Sequence, residues 1–98
     1  MRFCVKIIEY QKKLMLNICD ADLLGKNISQ NELTMTISKS YYGDQIVEKD
    51  EAKKLLENSS IINMVGKNTI SLSLDIGVGS ENGVKKISGV PFLIVFKI

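Results

Sequence analysis

Very few residues of this chain have the type and spacing that catalysis requires. Histidine is absent from all 98 residues, so there is no His-based triad, no His-ligated metal and no general base of the usual kind. Cys4 and Cys19 are the only cysteines, whereas a zinc site needs about four N or S ligands. Cys19 is an attractive nucleophile, but it lacks an adjacent base. We therefore predict no catalytic residue, no metal and no cofactor, and two reduced cysteines.

The turn Val65-Gly66-Lys67-Asn68 is the best candidate for a small-molecule site. A strand that ends at Gly66 and leads into a helix presents free N–H groups and the positive end of the helix dipole, beside Lys67. That arrangement suits a phosphate or another anion. The alternative is a plain tight turn, in which Gly66 only allows the chain to reverse.

A second set of residues is suited to RNA. Tyr41 or Tyr42, which precede Gly43, could stack on a base, and alternation would leave one of the two rings exposed. The pairs Lys85-Lys86 and Lys12-Lys13 would form a basic surface if they shared a face with a tyrosine. Half-buried structural tyrosines and solvated lysines are the alternative. The candidate anion- or RNA-binding residues are Tyr41, Tyr42, Gly43, Asn63, Gly66, Lys67, Lys85 and Lys86.

Two further motifs have structural explanations. Asp20 and Asp22 could bind a divalent cation, but Asp20 also suits the cap of a single helical turn that Gly25 would end. The glycine-rich segment 77–83 superficially resembles a nucleotide loop. A phosphate loop follows a strand and precedes a helix, whereas this segment is expected in the opposite context. We interpret it as a linker.

Composition places the chain among single-domain globular proteins. Its 98 residues include 45% hydrophobic and 24% charged residues, with a net charge of +2. No apolar run approaches the ~18–20 residues that span a bilayer, and charges interrupt the N-terminal segment, so we expect no signal peptide and a cytoplasmic location. The weak overall charge means that any RNA contact must come from a local patch.

Alternating apolar residues predict a β-hairpin over residues 3–10 and 14–18. Burial of both apolar sets on one side restricts the register. Pairing Ile7 with Ile18 satisfies this condition and leaves Lys12-Lys13 as the loop. Further along, the pattern predicts a polar loop (27–31), a half-buried strand (33–38), a turn (40–44), a helix (50–57), a buried strand (61–65) and a strand (84–88).

The chain ends in its longest apolar stretch, Ser88 to Ile98. This stretch is β-branched and aromatic, and it is too short for an ordinary helix, so we predict a strand buried on both faces and entered at Pro91. Such a strand lies in the middle of a sheet. The predicted fold is α/β (α+β): a two-layer sandwich of a mixed sheet, with a central C-terminal strand and two main helices on one face.

Residues 67–76 fit two structures. Their apolar residues alternate with polar ones throughout, which is typical of a strand. Asn68 as a cap and Gly77 as a terminator fit a helix instead. The pattern alone favours the strand.

Four clusters together resemble a known family, the archaeal proteins called domain of unknown function 424. The clusters are Cys19-Asp20 with Leu23-Leu24-Gly25-Lys26, Tyr41-Tyr42-Gly43, Asn63-Met64-Val65-Gly66 and Gly89-Val90-Pro91. The resemblance covers nearly the whole chain. It implies an archaeal, cytoplasmic protein with a two-layer α/β fold, and it implies a helix over residues 67–76 in place of the strand.

Two departures from the family pattern bear on function. Asp44 stands where a second glycine often follows Tyr-Gly, and Phe92 stands where a histidine often follows Gly-Val-Pro. Because a phenylalanine can be neither a proton shuttle nor a ligand, the resemblance does not imply His-dependent catalysis here. Phe92 is expected to belong to the scaffold.

Three functions fit the sequence. We favour a non-enzymatic binding module that contacts RNA or a ribonucleoprotein. One alternative is a small enzyme or ligand-binding protein that recognises a phosphorylated small molecule at Gly66-Lys67. The other is a protein-interaction or homodimer subunit that uses an uncovered sheet face or edge. No membrane partner is expected.

Overall fold

A six-stranded mixed sheet forms the centre of the structure, a computed structural model that describes residues 1–97. The strand order is β5-β1-β2-β6-β8-β7, and the central pair β2·β6 is parallel while the other neighbours are antiparallel. The sheet strands are β1 (Arg2–Tyr10), β2 (Lys13–Asp20), β5 (Gln45–Glu48), β6 (Ile61–Val65), β7 (Lys85–Ile87) and β8 (Val90–Phe96). The other elements are the hairpin strands β3 (Asn27–Gln30) and β4 (Leu33–Thr36), and the helices α1 (Lys39–Tyr42), α2 (Lys49–Asn58) and α3 (Lys67–Asp75).

The two longer helices, α2 and α3, pack on one face of the sheet, which we call the helical face. Ala52 and Leu56 of α2, together with Ile70 and Leu72 of α3, join the main core cluster with the inward residues of four strands. The predicted class is therefore confirmed: a mixed α+β fold with both main helices on one face of a mixed sheet. Within residues 1–97 no helix is long and apolar enough to cross a membrane.

The opposite face of the sheet is only half covered. The β3–β4 hairpin and the single-turn helix α1 lie over the end that carries Cys4, Cys19 and Val65, and they close a second core cluster with Ile28 and Ile37. Residues 27–30 of the predicted loop 27–31 are thus a strand, although their polarity predicts a loop. Ile28 is the one side chain of β3 that is buried, and side-chain hydrogen bonds join the two hairpin strands elsewhere.

The C-terminal strand β8 differs from the prediction in two respects. It lies between β6 and the short strand β7, so β2 and β6 are the central strands instead. Leu93 is buried against the helices, but Ile94 and Phe96 point to the other face and are 59% and 71% exposed. An uninterrupted apolar run therefore does not indicate a strand buried on both faces here, because no element of the described residues covers Ile94 and Phe96. Ile98 lies outside the described residues.

The β1–β2 hairpin confirms the predicted strands but not their register. Its loop is Gln11-Lys12, and Ile7 pairs with Leu16 rather than with Ile18. Both loop residues have positive φ, 51° and 66°, as a two-residue primed turn requires. Since a shift of two residues leaves every side chain on its original face, apolar alternation cannot distinguish the two registers.

Residues 67–75 form the helix α3, as the family resemblance implies and against the alternating pattern. Thr69 and Ser73, which alternation would place in solvent, are fully buried. Their hydroxyls donate to the Asp20 carboxylate at 2.7 Å and to the Val78 carbonyl at 2.6 Å. Because these polar side chains have buried partners, the inward face of the helix includes residues that a hydrophobicity pattern cannot identify.

Candidate functional site

A hydrogen-bonded pair of asparagines marks the boundary between the covered and uncovered parts of the sheet face. Asn17 of β2 and Asn63 of β6 are direct cross-strand partners. Asn17 is 1% exposed, its Nδ2 donates to the backbone carbonyl of Tyr41 at 3.1 Å, and its Oδ1 accepts from Asn63 Nδ2 at 2.8 Å. The pair therefore joins the two central strands to α1.

The short helix α1 gives its two tyrosines different environments. Ser38 caps it by accepting from the Tyr41 amide at 3.2 Å. Tyr42 is buried in the second core cluster, whereas Tyr41 is 46% exposed and lies edge-on to it, with ring centroids 4.8 Å apart. The prediction that one ring of the pair is exposed is confirmed.

A cleft of about 490 Å³ opens beside Tyr41. Asn63 forms its floor together with Phe92 and Ile94 of β8, and α1 and β4 form its wall. None of its lining residues is charged. The lining residues are Met35, Thr36, Ser38, Ser40, Tyr41, Tyr42, Asn63, Met64, Phe92 and Ile94. Phe92 belongs to the second core cluster and also lines the cleft, so it is both scaffold and part of this surface.

The cleft opens onto a part of the sheet that no described element covers, and we call this part, together with the cleft floor, the open half-face. Cross-strand partners point to the same side of a sheet, so the register identifies its members. It combines exposed rings, aliphatic side chains, an amide and lysines. Its strand residues are Lys6, Ile8, Tyr10, Lys13, Met15, Ile61, Asn63, Ile94 and Phe96, and none of them is acidic.

Two of the predicted lysines lie on this side of the sheet, and the others do not. Lys85 pairs directly with Phe92, so it points to the same face as the cleft, and Lys13 is on the open half-face. Lys86 is on the opposite side, where it lines a separate groove with Lys67 and two carboxylates, Asp75 and Glu81. The adjacent Lys85-Lys86 pair therefore does not act as one patch, since alternation separates its members.

The turn at Gly66-Lys67 already holds an anion, which is the carboxylate of Asp20. Asp20 Oδ1 accepts from the Thr69 amide at 2.7 Å, and Oδ2 accepts from the Asn68 amide at 3.1 Å. The predicted free N–H groups are therefore occupied by the chain itself. Asp20 does cap a helix, but that helix is α3 and not the local turn at 21–23, to which its side chain makes no capping bond.

The remaining candidates are structural. Gly43 ends α1, where a Cβ would lie 3.0 Å from the Lys39 side chain. In segment 77–83, Val78 is buried, and Gly79 and Gly83 pack closely against Leu93. Within the described residues 1–97, no group of three or more Cys, Asp or Glu side chains is arranged to hold a metal ion.

Cys4 and Cys19 lie directly opposite each other on β1 and β2, and both are buried free thiols. Burial, together with the neighbouring Cys4 and Asp20, raises the pKa of the Cys19 thiol to about 12. Burial likewise raises the pKa of Cys4. Since the thiolate is the nucleophile, neither residue is chemically activated at neutral pH.

Several members of this surface escaped the sequence-based prediction. Asn17 alternates with Met15 and Cys19 in β2, so the three side chains point to the same face of the sheet. A polar residue between two apolar ones on one face is a signal that could have identified Asn17. Phe96 and Ile94 could not, because their apolar character indicates a core position. Their exposure follows from the shortness of the β3–β4 hairpin and α1, which is a tertiary property.

Comparison with known proteins identifies the family. The model for "Protein of unknown function (DUF424)" matches residues 8–98. The chain belongs to the DUF424 family. It is also similar to an uncharacterized conserved protein from Methanopyrus kandleri, whose crystal structure superposes with a TM-score of 0.80 at 27% identity, covering 100% of this chain and 95% of that one. No curated protein matches it.

The four clusters that resemble DUF424 meet at two places in the structure. Asp20 and Leu23 lie beside Gly66 and the Gly89-Val90-Pro91 turn, and the Gly66 amide donates to the Pro91 carbonyl at 3.0 Å. The Tyr41-Tyr42 pair meets Asn63 at the cleft. Strand β6 connects the two places, since it carries Asn63 near its middle and leads directly into Gly66. The first place is structural, and the second faces solvent.

Proposed function

We propose that this protein is a non-enzymatic module that binds single-stranded RNA, alone or within a ribonucleoprotein, on the open half-face. The observation that carries the proposal is the composition of that surface. Exposed rings of Tyr10, Tyr41 and Phe96 are interspersed with Lys6 and Lys13, and no strand residue of the surface is acidic.

The physical argument rests on the two parts of a nucleotide. Bases stack on exposed aromatic rings, each contributing about 1–3 kcal/mol, while lysines neutralise phosphates. Sheet surfaces with exposed aromatic residues are a recurrent solution for single-stranded RNA. Lys6 supports this arrangement because its Nζ donates to the Ser40 carbonyl at 2.8 Å, which fixes a positive charge next to the cleft.

The alternative of a small enzyme at Gly66-Lys67 loses its basis. The amides that would donate to a phosphate already donate to Asp20, and a phosphate there would face a carboxylate. The one attractive nucleophile, Cys19, is a buried thiol with a raised pKa. We therefore retain the binding module as the proposed function.

Titration of a fluorescently labelled, mixed-sequence single-stranded RNA tests the proposal. We expect binding at low salt, and three lysines (Lys6, Lys13 and Lys85) predict a slope of about −2 for log affinity against log salt, at about 0.7 per phosphate contact. Affinity should fall about 20-fold between about 50 and about 200 mM salt. Absence of binding at the lower salt would contradict the proposal.

Variants locate the binding surface. The double charge reversal of Lys13 and Lys85 to Glu should weaken binding more than about 10-fold, whereas the matched reversal of Lys49 and Lys54 on α2 should change it far less. Phe96→Ala should cost at least about 5-fold through lost stacking. The control for exposed apolar truncation is Leu33→Ala at the hairpin tip. If both charge reversals weaken RNA binding equally, the open half-face is not the binding surface.

A second copy of the chain is a second candidate partner for the same region. The Gly66 amide donates a hydrogen bond to the Pro91 carbonyl, and the Lys97 amide donates one to the Ser60 carbonyl. Because backbone groups of a strand point to alternate sides, the odd-numbered residues of β8 direct their N–H and C=O groups to β6. Ile94 and Phe96 direct theirs to the other edge, where β7 ends at the pairing of Lys85 with Phe92. An open edge beside exposed apolar side chains is suited to strand pairing.

Light scattering over a concentration series tests this second candidate. An antiparallel β8–β8 pairing predicts twice the chain mass at high concentration, and Phe96→Lys should restore the monomer by placing like charges at the edge. A single-chain mass at every concentration would eliminate the homodimer, and it would leave the open half-face free for RNA.

A further inference from the structure

We propose that the cleft between Tyr41 and Asn63 is a subsite for one unpaired nucleobase, held by its Watson–Crick edge. The inference rests on the proposed function and specifies which part of the RNA enters the cleft. Its basis is a hydrogen-bond chain that fixes the orientation of two side-chain amides and leaves an acceptor on Asn63 and a donor on Tyr41, which both line the cleft.

The hydrogen-bond chain begins at the backbone carbonyl of Tyr41, which can only accept a hydrogen bond. Because the Tyr41 carbonyl lies 3.1 Å from Asn17, that asparagine must present its NH₂ group there. Its Oδ1 must then face Asn63, which donates its own NH₂ at 2.8 Å. Asn17 is 1% exposed, so no water competes for these bonds. The carbonyl oxygen of Asn63 is therefore directed away from the pair.

Two unpaired groups remain at the mouth of this chain. Within residues 1–97, Asn63 Oδ1 accepts no hydrogen bond from another residue. The Tyr41 hydroxyl oxygen lies 3.4 Å from Asn63 Nδ2 and accepts from it, so the hydroxyl hydrogen is free to donate. An oriented acceptor and a donor thus lie side by side on a half-buried surface.

The rest of the cleft selects a neutral, flat and partly apolar ligand. Its volume of about 490 Å³ is in the range of small-molecule sites. Phe92, Ile94 and Met35 supply apolar walls, and Ser38 and Ser40 supply hydroxyls, with no charged side chain in the lining. A phosphate or carboxylate would find no cation inside, whereas a base has donors and acceptors adjacent on one edge and apolar faces.

The surroundings explain how a strand would deliver that base. Lys6 and Lys85 flank the cleft on the same side of the sheet, where they can contact the phosphates of the nucleotide inside it. Neighbouring bases would stack over the open half-face, towards Phe96. Only an unpaired base can enter, since pairing occupies the edge that Asn63 and Tyr41 would contact.

The test compares Tyr41→Phe with Ser71→Ala, two variants that each remove one hydroxyl, the second from an exposed position of α3 on the opposite side of the sheet. Single-stranded hexanucleotides of adenylate, cytidylate and uridylate are titrated separately. We expect Tyr41→Phe to weaken the tightest of them about 5-fold, as loss of one hydrogen bond predicts, and Ser71→Ala to leave it unchanged. Pairing of the same bases within a stable duplex occupies their Watson–Crick edge and should abolish the effect of Tyr41→Phe.

The outcomes separate the subsite from the proposed function. If the wild type binds RNA but Tyr41→Phe binds every hexamer equally well, the nucleobase subsite is wrong while the RNA-binding face stands. If the wild type binds no RNA, the proposed function fails and the subsite fails with it. Thermal unfolding of both variants verifies the fold, because Asn63 keeps its stronger bond to Asn17 in each.

Discussion

Gly66→Ala should destabilise the protein by about 3 kcal/mol or more, since backbone strain and overpacking each contribute about 1–3 kcal/mol. Gly66 has φ 110° and ψ 148°, a conformation that other residues rarely adopt. A Cβ there would lie 2.4 Å from Cγ of Asp20 and 2.6 Å from its Oδ1. The carboxylate cannot withdraw without leaving the α3 amides unpaired. Urea unfolding followed by circular dichroism measures the loss.

Gly77→Ala is the matched control for Gly66→Ala. Gly77 also has positive φ, 80°, but apart from Gly77 itself and its two chain neighbours no atom of the described residues lies within 4 Å of its Cβ position. It should therefore report the conformational cost alone, about 1–2 kcal/mol. If the two variants lose equal stability, the close approach of Asp20 does not explain why residue 66 is glycine.

Asp20→Ala should cost about 3 kcal/mol, because hydrogen bonds to a buried charged group contribute about 1.5–3 kcal/mol each and are not additive. Asp20 is 4% exposed and accepts from the Asn68 amide and from both the amide and hydroxyl of Thr69. Asp20→Asn should cost less. Its oxygen can still accept from Thr69, but its NH₂ would meet the Asn68 N–H as donor against donor. Urea unfolding of both variants gives the comparison.

A double variant distinguishes the capping contact from unrelated effects. Removing the Asp20 carboxylate opens the space that a Cβ at residue 66 needs. The double variant Asp20→Ala, Gly66→Ala should therefore lose less free energy of unfolding than the sum of the losses in the two single variants, by at least about 1 kcal/mol. Additive losses would show that Asp20 and Gly66 act independently. The double variant also keeps the test informative if Gly66→Ala alone does not fold.

The elements predicted from the sequence were those determined by local signals. The helix over 50–57 has good helix formers and acids in its first turn, and the structure has it at Lys49–Asn58. The buried strand over 61–65 has the predicted bounds. Both signals come from neighbouring residues, so a single sequence contains them.

The errors concern properties that depend on distant residues. The pattern of residues 67–76 favours a strand because apolar and polar residues alternate there, whereas the side chain that caps α3 is Asp20, 48 to 49 positions earlier. The hairpin register was wrong by two residues, which alternation cannot detect. For β8, covering elements decide burial, and they stop short of Ile94 and Phe96.

Half of the candidate site followed from the sequence. The sequence indicates Tyr41 and Asn63 separately, and it indicates Lys85 as a basic residue but not the face of the sheet to which it points. Their meeting depends on the β2–β6 pairing, which brings Asn17 opposite Asn63 and so fixes α1 above them. Parallel pairing is set by the crossover through the intervening chain, and no local pattern predicts it.

The Asp20 cap also has a consequence for the order of folding. Residues 67–75 have weak helical preference of their own, and the bonds that satisfy their first amides close a loop of about fifty residues. Such a loop must close before those bonds can form, and its closure is entropically unfavourable. The helix α3 should therefore appear late, after β2 and β6 have paired, and its amides should gain protection from hydrogen exchange only with the completed sheet.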